Sequence, residues 1–219
     1  MKVSAIIPTL NEETRIAATI DAAFLAGVSE VLICDGGSSD ATVAIAETHG
    51  ARVIASERMR ARQLNRGAES ASYEALLFLH ADTLLPLGAA DAIVDALRDA
   101  DFGGFLVDFI EPGWRLRYVA FMINRRTRLT RAPWGDQAQF ACRATFPGYP
   151  DFPIMEDYAL AMRMRPRAAI LSLRVRTSGR RFLAKGVIRT SIVNWTVIAA
   201  YHLGVSPERL ARWYRGRPD

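Results

Sequence analysis

The fold is most strongly constrained by the alternation of short apolar runs with segments of helical spacing over the first 80 residues. Three of the apolar runs, Val3–Pro8, Glu30–Asp35 and Ala75–His80, have the length and composition of β-strands. The third is apolar throughout residues 75–79, as expected of a strand buried on both faces. Such alternation with short connections predicts a mostly parallel sheet flanked by helices, in which ligands bind beyond the carboxyl ends of the strands.

The other elements are predicted from helical spacing, capping residues and glycine breaks. In the first half these are helices over Glu12–Ala26, 38–50 and Arg60–Ser72 and a strand over Arg52–Ser56. Beyond about residue 100 the pattern becomes mixed α+β, with strands over Phe102–Phe109 and Gln137–Arg143, a helix over Trp114–Leu129 and another opened by Glu156.

Length and composition indicate one globular domain, 1–219, because the chain has 219 residues, of which 50% are hydrophobic and 23% charged. Cys34 and Cys142 match neither a zinc site nor a disulfide framework. The N-terminus runs straight into a strand without the pattern of a secretory signal. Ile192–Val205 is shorter than the roughly 20 residues that span a bilayer. We therefore expect a cytoplasmic protein.

Charge is divided unevenly along the chain, although the net charge is only +5. Residues 1–110 hold 8 basic and 16 acidic residues, whereas residues 111–219 hold 20 basic and 7 acidic ones. Of the basic residues 26 are arginines, whose planar fork suits phosphate and carboxylate recognition. A biased genomic base composition would also enrich arginine. The position of the charge predicts a phosphorylated ligand, an anionic membrane surface, or both.

Asp35 ends the second predicted strand and is followed by Gly36, Gly37, two serines and Asp40. The glycines let the backbone pass close to a ligand, and the Asp35 carboxylate can accept from a base edge or a ribose hydroxyl. The same residues also fit an ordinary Asp-Gly turn in which Asp40 caps the next helix.

Asp82 and His80 emerge directly after the most apolar strand, at the edge where ligands bind. A divalent cation that bridges diphosphate oxygens needs few protein ligands, so Asp82 is a candidate metal ligand and His80 a candidate neighbour of the diphosphate. Alternatively, Asp82 caps a turn and His80 is a satisfied residue at a strand end.

Further charged residues are candidates for the chemistry itself. Glu156 and Asp157 open a predicted helix, where one carboxylate can act as a general base, although capping by the helix dipole explains them as well. Arg180 and Arg181 follow a glycine and can clamp a leaving diphosphate, and Arg58, Arg60 and Arg62 offer positive charge near the phosphates. All of these arginines also fit a solvated surface.

In chain order, these motifs resemble those of the family 2 glycosyltransferases of the type A fold. The resemblance is carried by Ile6 to Glu12, Cys34 to Thr42, His80 to Thr83 and Glu156-Asp157, and it covers essentially the whole chain. The segments from Thr177 to Arg181, Asn194-Trp195 and Leu203 to Arg209 further resemble a bacterial subgroup of radical-SAM/selenodomain-associated transferases.

The resemblance implies a donor site for a nucleoside diphosphate sugar, typically a UDP-sugar, and an inverting transfer to a hydroxyl acceptor that the sequence does not identify. It places Pro8, Asn11 and Glu12 under the nucleotide, Asp35 on the uracil or ribose, Asp82 on Mn²⁺ or Mg²⁺, and Asp157 as base. One departure is His80, which stands where the family's metal motif usually has its first aspartate.

The resemblance divides the domain into a nucleotide-sugar-binding half, 1–110, an acceptor and catalytic part, 111–189, and a C-terminal helical segment, 190–219. For this last segment we favour packing or a homodimer interface over peripheral contact with a membrane. A nucleotidyltransferase and a non-catalytic binding module of the same fold are the alternative functions. Nothing in the sequence favours nucleic acid as a partner.

Overall fold

A computed structural model of the protein describes residues 1–216. Over this range strands and helices alternate along most of the chain. The strands are β1 Val3–Thr9, β2 Glu30–Asp35, β3 Arg52–Ala55, β4 Ala75–Phe78, β5 Thr83–Leu84, β6 Phe102–Phe109, β7 Phe140–Cys142 and β8 Ala168–Thr177. The α-helices are α1 Ile16–Leu25, α2 Thr42–Thr48, α3 Arg60–Ser70, α4 Ala89–Ala96, α5 Trp114–Thr130, α6 Glu156–Met164, α7 Arg180–Lys185, α8 Val187–His202 and α9 Pro207–Arg215.

The strands form one mixed sheet in the order β3-β2-β1-β4-β7-β6-β8-β5. Strands β3, β2, β1 and β4 are parallel, which confirms the arrangement predicted for the first half. Strand β7 is antiparallel to both of its neighbours, β4 and β6. Because β1 to β4 point the same way, the loops that follow β1, β2 and β4 meet at one edge of the sheet.

The central strands are buried on both faces, as their continuous apolar character requires. Alternate residues of β4 belong to different cores: Leu77 lies in the cluster that includes α1 and α4, and Leu76 in the cluster that includes α3 and α6. Helix α3 comes very close to the sheet at Gly67, where a Cβ would lie 2.3 Å from Ile6 Cγ2 and 2.7 Å from Cys34 Sγ. Glycine is therefore required at that position.

Several segments differ from the sequence prediction. The first helix begins at Ile16 rather than at Glu12, because the Glu12 backbone N–H donates instead to Thr42 Oγ1 in the loop before α2. Strand β7 is shorter than Gln137–Arg143, because Gly135–Gln137 forms a turn of 3₁₀ helix. Strand β8 was not predicted, although its arginines and serine alternate with apolar residues in the period of a half-exposed strand.

The C-terminal helices bury few residues. Helix α8 buries only Thr190 and Val197, α7 buries none, and α9 buries Leu210 and Ala211. Within residues 1–216 no helix has the length and apolar character needed to cross a bilayer.

Candidate active site

The loops after β1 and β2 are joined to each other at the carboxyl edge of the sheet. Thr9 at the end of β1 pairs in register with Asp35 at the end of β2. Beyond this pair, the Asn11 backbone N–H donates to Ser38 Oγ over 2.9 Å, and the Ser39 backbone N–H donates to Asn11 Oδ1, also over 2.9 Å. Asn11 adopts a left-handed backbone conformation with φ 56°, which asparagine tolerates better than most residues. These bonds hold the two loops as one rigid unit.

The buried Asp35 carboxylate organises this unit. Its oxygens accept from Thr9 Oγ1, Ser38 Oγ and the backbone N–H groups of Gly37 and Ser38. Burial acts to raise the pKa of Asp35, but these hydrogen bonds outweigh it and hold the pKa below its usual range. A carboxylate has about four lone-pair positions, so one of these bonds must yield when Asp35 accepts from a ligand.

Gln63 is a structural residue of the same loops that the sequence motifs do not reveal. From α3, its side-chain amide donates to the carbonyl oxygens of Thr9 and Cys34 over 2.9 and 2.8 Å. A Cβ on Gly36 would lie 3.1 Å from the Gln63 Nε2 atom, so glycine leaves room for this contact. Gln63 thus ties α3 to the ends of β1 and β2.

Glu12, Asp82 and Arg180 form a second cluster. One guanidinium nitrogen of Arg180 lies 3.1 Å from Glu12 Oε1 and 3.3 Å from Asp82 Oδ2. Burial raises the pKa of Asp82 and the neighbouring Glu12 adds to this, whereas Arg180 lowers it. The other carboxylate oxygen of Glu12, Oε2, is buried and lacks a hydrogen-bond partner among the described residues, although Arg15 lies 3.6 Å from it. The two acids thus share one cation.

The Glu12 and Asp82 pair also fits a divalent metal ion. Both residues offer the hard oxygen ligands that Mg²⁺ and Mn²⁺ prefer, and Glu12 Oε2 has capacity to spare. No group of three or more His, Cys, Asp or Glu side chains among residues 1–216 is arranged to hold a metal. A metal here therefore needs ligand or water oxygens to complete its shell.

Glu111, at the end of β6, holds the segment that carries Arg180. Its carboxylate accepts from Ser178 Oγ over 2.8 Å and from the Gly179 backbone N–H over 2.6 Å. These contacts fix the start of α7, where Arg180 is the first residue. The sequence analysis did not identify Glu111 as a site residue.

Asp157 lies in a third cluster that draws on both halves of the chain. Its Oδ2 accepts from the Gly135 backbone N–H and its Oδ1 from the Tyr158 backbone N–H, each over 2.8 Å. A guanidinium nitrogen of Arg60 lies 3.6 Å from Asp157 Oδ2, and the Arg60 Nε atom donates to Glu156. Burial acts against the charged form, but Arg60 and the two N–H groups hold the pKa of Asp157 below its usual range. Asp157 is therefore ionised at neutral pH.

Glu156 and His80 complete this cluster. Glu156 is buried and points at Arg60, so it serves to neutralise and orient that arginine. The His80 Nε2 atom lies 3.3 Å from an Arg60 guanidinium nitrogen. A guanidinium only donates, so Nε2 accepts and the proton of His80 is on Nδ1. Burial and Arg60 lower the pKa of His80 to about 3, which keeps the ring neutral.

Arg126, Trp134 and Asp136 form a partly buried group beside Asp157 that the sequence analysis also did not identify. The Arg126 guanidinium lies 3.6 Å from the centroid of the Trp134 ring, and that ring packs edge-to-face against Tyr158. Asp136 Oδ1 and Arg126 Nε are buried without a hydrogen-bond partner among the described residues. Unpaired polar atoms at such a position are available to a ligand.

The contacts of the remaining predicted residues place them outside these three clusters. Arg62 is exposed and forms ion pairs with Asp151 and Glu57, so Arg60 is the α3 arginine that contacts the acids of the site. Arg181 donates to Asn194 Oδ1 and lies over the Tyr214 ring. Pro8 is in β1 beside Cys34 of β2, just before the loops that follow these two strands. Their roles stay predictions.

Comparison with known families agrees with this geometry. The family model described as glycosyl transferase family 2 matches residues 4–149, which is more than half of the chain. The protein therefore belongs to the glycosyl transferase family 2, and its single α/β domain has the type A fold. No curated protein matches the sequence.

Solved structures share this fold at low sequence identity. The crystal structure of S. aureus TarS 1-349 is 19% identical with a TM-score of 0.63, and the alignment covers 81% of this chain and 60% of that one. A complex of glucosyl-3-phosphoglycerate synthase from Mycobacterium tuberculosis is 20% identical with a TM-score of 0.53, over 79% of this chain and 70% of that one. The chain thus spans about 60% of the length of the TarS fragment.

Proposed function

We propose that the protein is an inverting, divalent-metal-dependent glycosyltransferase that moves a sugar from a UDP-sugar to the hydroxyl group of an acceptor. The observation that carries the proposal is the position of Asp157. It is an ionised carboxylate held by two backbone N–H groups, and it lies within ion-pair distance of Arg60, which also contacts His80 after the end of β4. A base in such a position needs no covalent enzyme intermediate.

Relatives support the identity of the donor. TarS has been crystallised with UDP, and glucosyl-3-phosphoglycerate synthase with UDP and either Mn²⁺ or Mg²⁺. In this chain we assign the unit built from Asn11, Asp35 and Gly36 to the nucleoside, with Pro8 supporting it from the strand below. Asp35 and Ser38 would contact the uracil or ribose, once one bond within the loop has yielded.

Glu12 and Asp82 would hold the metal ion, with diphosphate and water oxygens as the other ligands. When bound, the ion supplies Lewis-acid stabilisation of the negative charge on the diphosphate. Arg180, which neutralises the two acids, would then be free to donate to the same phosphate oxygens. Arg181 and Arg62 are assigned a weaker role in attracting the donor.

For the transfer we assign Asp157 as the general base. It removes the proton from the acceptor hydroxyl as the hydroxyl oxygen forms a bond to the anomeric carbon. The bond from that carbon to the diphosphate oxygen breaks, and the electron pair leaves with the nucleoside diphosphate. The proton remains on Asp157, while Arg180 stabilises the leaving charge. Arg60, which Glu156 and His80 contact, lies beside Asp157 and favours its charged form.

The first test is thermal stability against a panel of nucleoside diphosphates and sugar nucleotides, with and without Mn²⁺ or Mg²⁺. Ligands that bind only the folded state raise the melting temperature. We expect the largest rise with a UDP-sugar and metal together, and its loss in Asp82→Asn and Glu12→Gln. Asp91→Asn, which removes an acidic side chain of α4, is the matched control.

The same panel of ligands distinguishes a glycosyltransferase from the alternative functions. A rise with nucleoside triphosphates but not with sugar nucleotides would favour a nucleotidyltransferase. Donor binding without release of UDP in any acceptor mixture would favour a binding module. A rise that persists unchanged in both acidic-pair variants would refute the metal site.

A further inference from the structure

Helix α5 has one face in the core and an exposed apolar face opposite to it. Leu116, Val119 and Ala120 pack in a small core with β6 and with residues of α7 and α8. On the opposite side Trp114, Tyr118 and Phe121 are 74%, 60% and 57% exposed. Met122 and Leu129 continue the same side by helical spacing. A contiguous exposed face of this kind marks an interaction surface.

The charges around this face are all positive. Helix α5 carries five arginines and no acidic residue, and the chain has no acid at all between Glu111 and Asp136. Arg115 lies along one flank of the apolar face, and Arg117 and Arg128 lie along the other, while helical spacing places Arg125 among the apolar side chains of the face itself. An apolar face between basic flanks is the pattern of helices that lie in the interface of an anionic bilayer.

A groove beside the second flank concentrates this charge. Its volume is about 510 Å³, and its walls include Arg117, Arg125, Arg128 and, from β8, Arg174. Asp108 is its acidic member, and the Oδ1 atom of this carboxylate accepts from the Phe109 backbone N–H. Within residues 1–216, none of the four arginines has an acidic side chain within ion-pair distance. Their guanidinium groups are therefore available to an anion.

We propose that the exposed face of α5 docks on an anionic membrane, and that the arginine groove binds the phosphate of a phospholipid headgroup. The aromatic rings would enter the interface, and the arginines would extend along them to the headgroups. A second copy of the chain is a poorer occupant, because two such faces would bring their own arginines together. Single-stranded nucleic acid can stack its bases on exposed aromatic rings between arginines. The exposed aliphatic side chains of Met122 and Leu129 on the same face favour the interface of a bilayer instead.

The test is cosedimentation of the purified full-length chain with large vesicles in the absence of any donor, so that the result does not depend on glycosyl transfer. Vesicles of phosphatidylcholine alone are compared with vesicles that also contain phosphatidylglycerol, at low and high salt. We expect binding only to the anionic vesicles and weaker binding at high salt.

Two variants separate the aromatic and the basic contributions. Trp114→Ser with Tyr118→Ser and Phe121→Ser should weaken binding to anionic vesicles about tenfold or more. Arg117→Gln with Arg125→Gln and Arg128→Gln should weaken it about fivefold for each arginine. The matched controls, Leu25→Ser with Leu87→Ser and Arg52→Gln with Arg66→Gln and Arg98→Gln, alter exposed residues elsewhere and should bind as the parent does.

Circular dichroism and melting temperature confirm that each variant is folded. The proposal is overturned if the parent does not bind anionic vesicles, if the α5 variants bind as the parent does, or if the controls lose as much. It is also overturned if glycerol phosphate at equal phosphate concentration abolishes binding, since the groove then takes a free phosphate. A lipid-free dimer that the aromatic variant dissociates would instead identify the face as a dimer interface.

Discussion

The two halves of the chain are stabilised and charged in different ways. Within residues 1–216, the largest fully buried side chains all lie between Ile6 and Phe140, whereas α7 and α8 together bury only Thr190 and Val197. The first half is acidic and the second strongly basic. The first half is thus a packed scaffold that carries the loops after β1, β2 and β4, whereas the second half contributes Arg180 and Asp157, which form ion pairs with Asp82 and Arg60 of the first half. Four tests, in order of decreasing expected effect, probe this contrast.

Asp157→Asn tests whether catalysis can be separated from donor binding. The amide cannot accept the acceptor proton, so release of UDP from a UDP-sugar should fall by about 10²- to 10⁴-fold. Donor-induced thermal stabilisation should remain, since the loops assigned to the nucleoside lie in the first half. Asp151→Asn, which alters an exposed acid paired with Arg62, is the control. A fall in UDP release of less than about tenfold would exclude Asp157 as the base.

Leu76→Ala and Ile192→Ala test whether β4 is packed more tightly than α8. Leu76 is fully buried in β4, so its truncation should lower the free energy of unfolding by about 2–5 kcal/mol. Ile192 is largely exposed on α8, and its truncation should change that free energy by about 0.5 kcal/mol or less. Urea titration measures both. Equal losses would mean that α8 is buried against a partner in solution.

Gly135→Ala tests the close packing of Gly135 against Asp157 and His80 in the third cluster. A Cβ at this position would lie 2.8 Å from Asp157 Oδ2 and 3.0 Å from His80 Nε2, so the carboxylate must move. Misplacement of a catalytic group by about 1 Å costs about 10²-fold in rate. We expect UDP release to fall accordingly, with donor binding retained. An unchanged rate would mean that Asp157 does not act from the position described.

Glu30→Gln tests whether the Glu30 carboxylate, which lies in the first half, makes the stability of the fold depend on pH. Burial acts to raise the pKa of Glu30, but bonds from Ser4 and Ser72 and the charge of Arg52 hold it below the ordinary 4.5. A depressed pKa stabilises the fold above the unfolded-state value, and this stability is lost as pH falls through the folded-state value. The variant should therefore unfold with a weaker pH dependence below about pH 4.5. A parallel pH dependence in both proteins would contradict this assignment.

Much of the fold was predictable because it depends on local patterns. The bounds of β2 and β6 agree with prediction, since apolar runs closed by turn residues are local signals. Strand β8 was not predicted, although residues 171–177 alternate apolar and polar side chains as a half-buried strand does, and its pairing with β6 and β5 stabilises it. Residues 12–15 were predicted as helix but form a loop, because their bonds to the loop before α2 are non-local.

The sequence by itself determined the parallel sheet, the family, and the acidic residues at the strand ends, because these follow from periodicity and from motifs in a set order. Only the tertiary structure decided which residues meet. Arg60 rather than Arg62 reaches Asp157, Glu111 fixes the segment of Arg180, and α5 presents its aromatic face to solvent. Each of these depends on contacts between residues far apart in the chain, which local patterns do not encode.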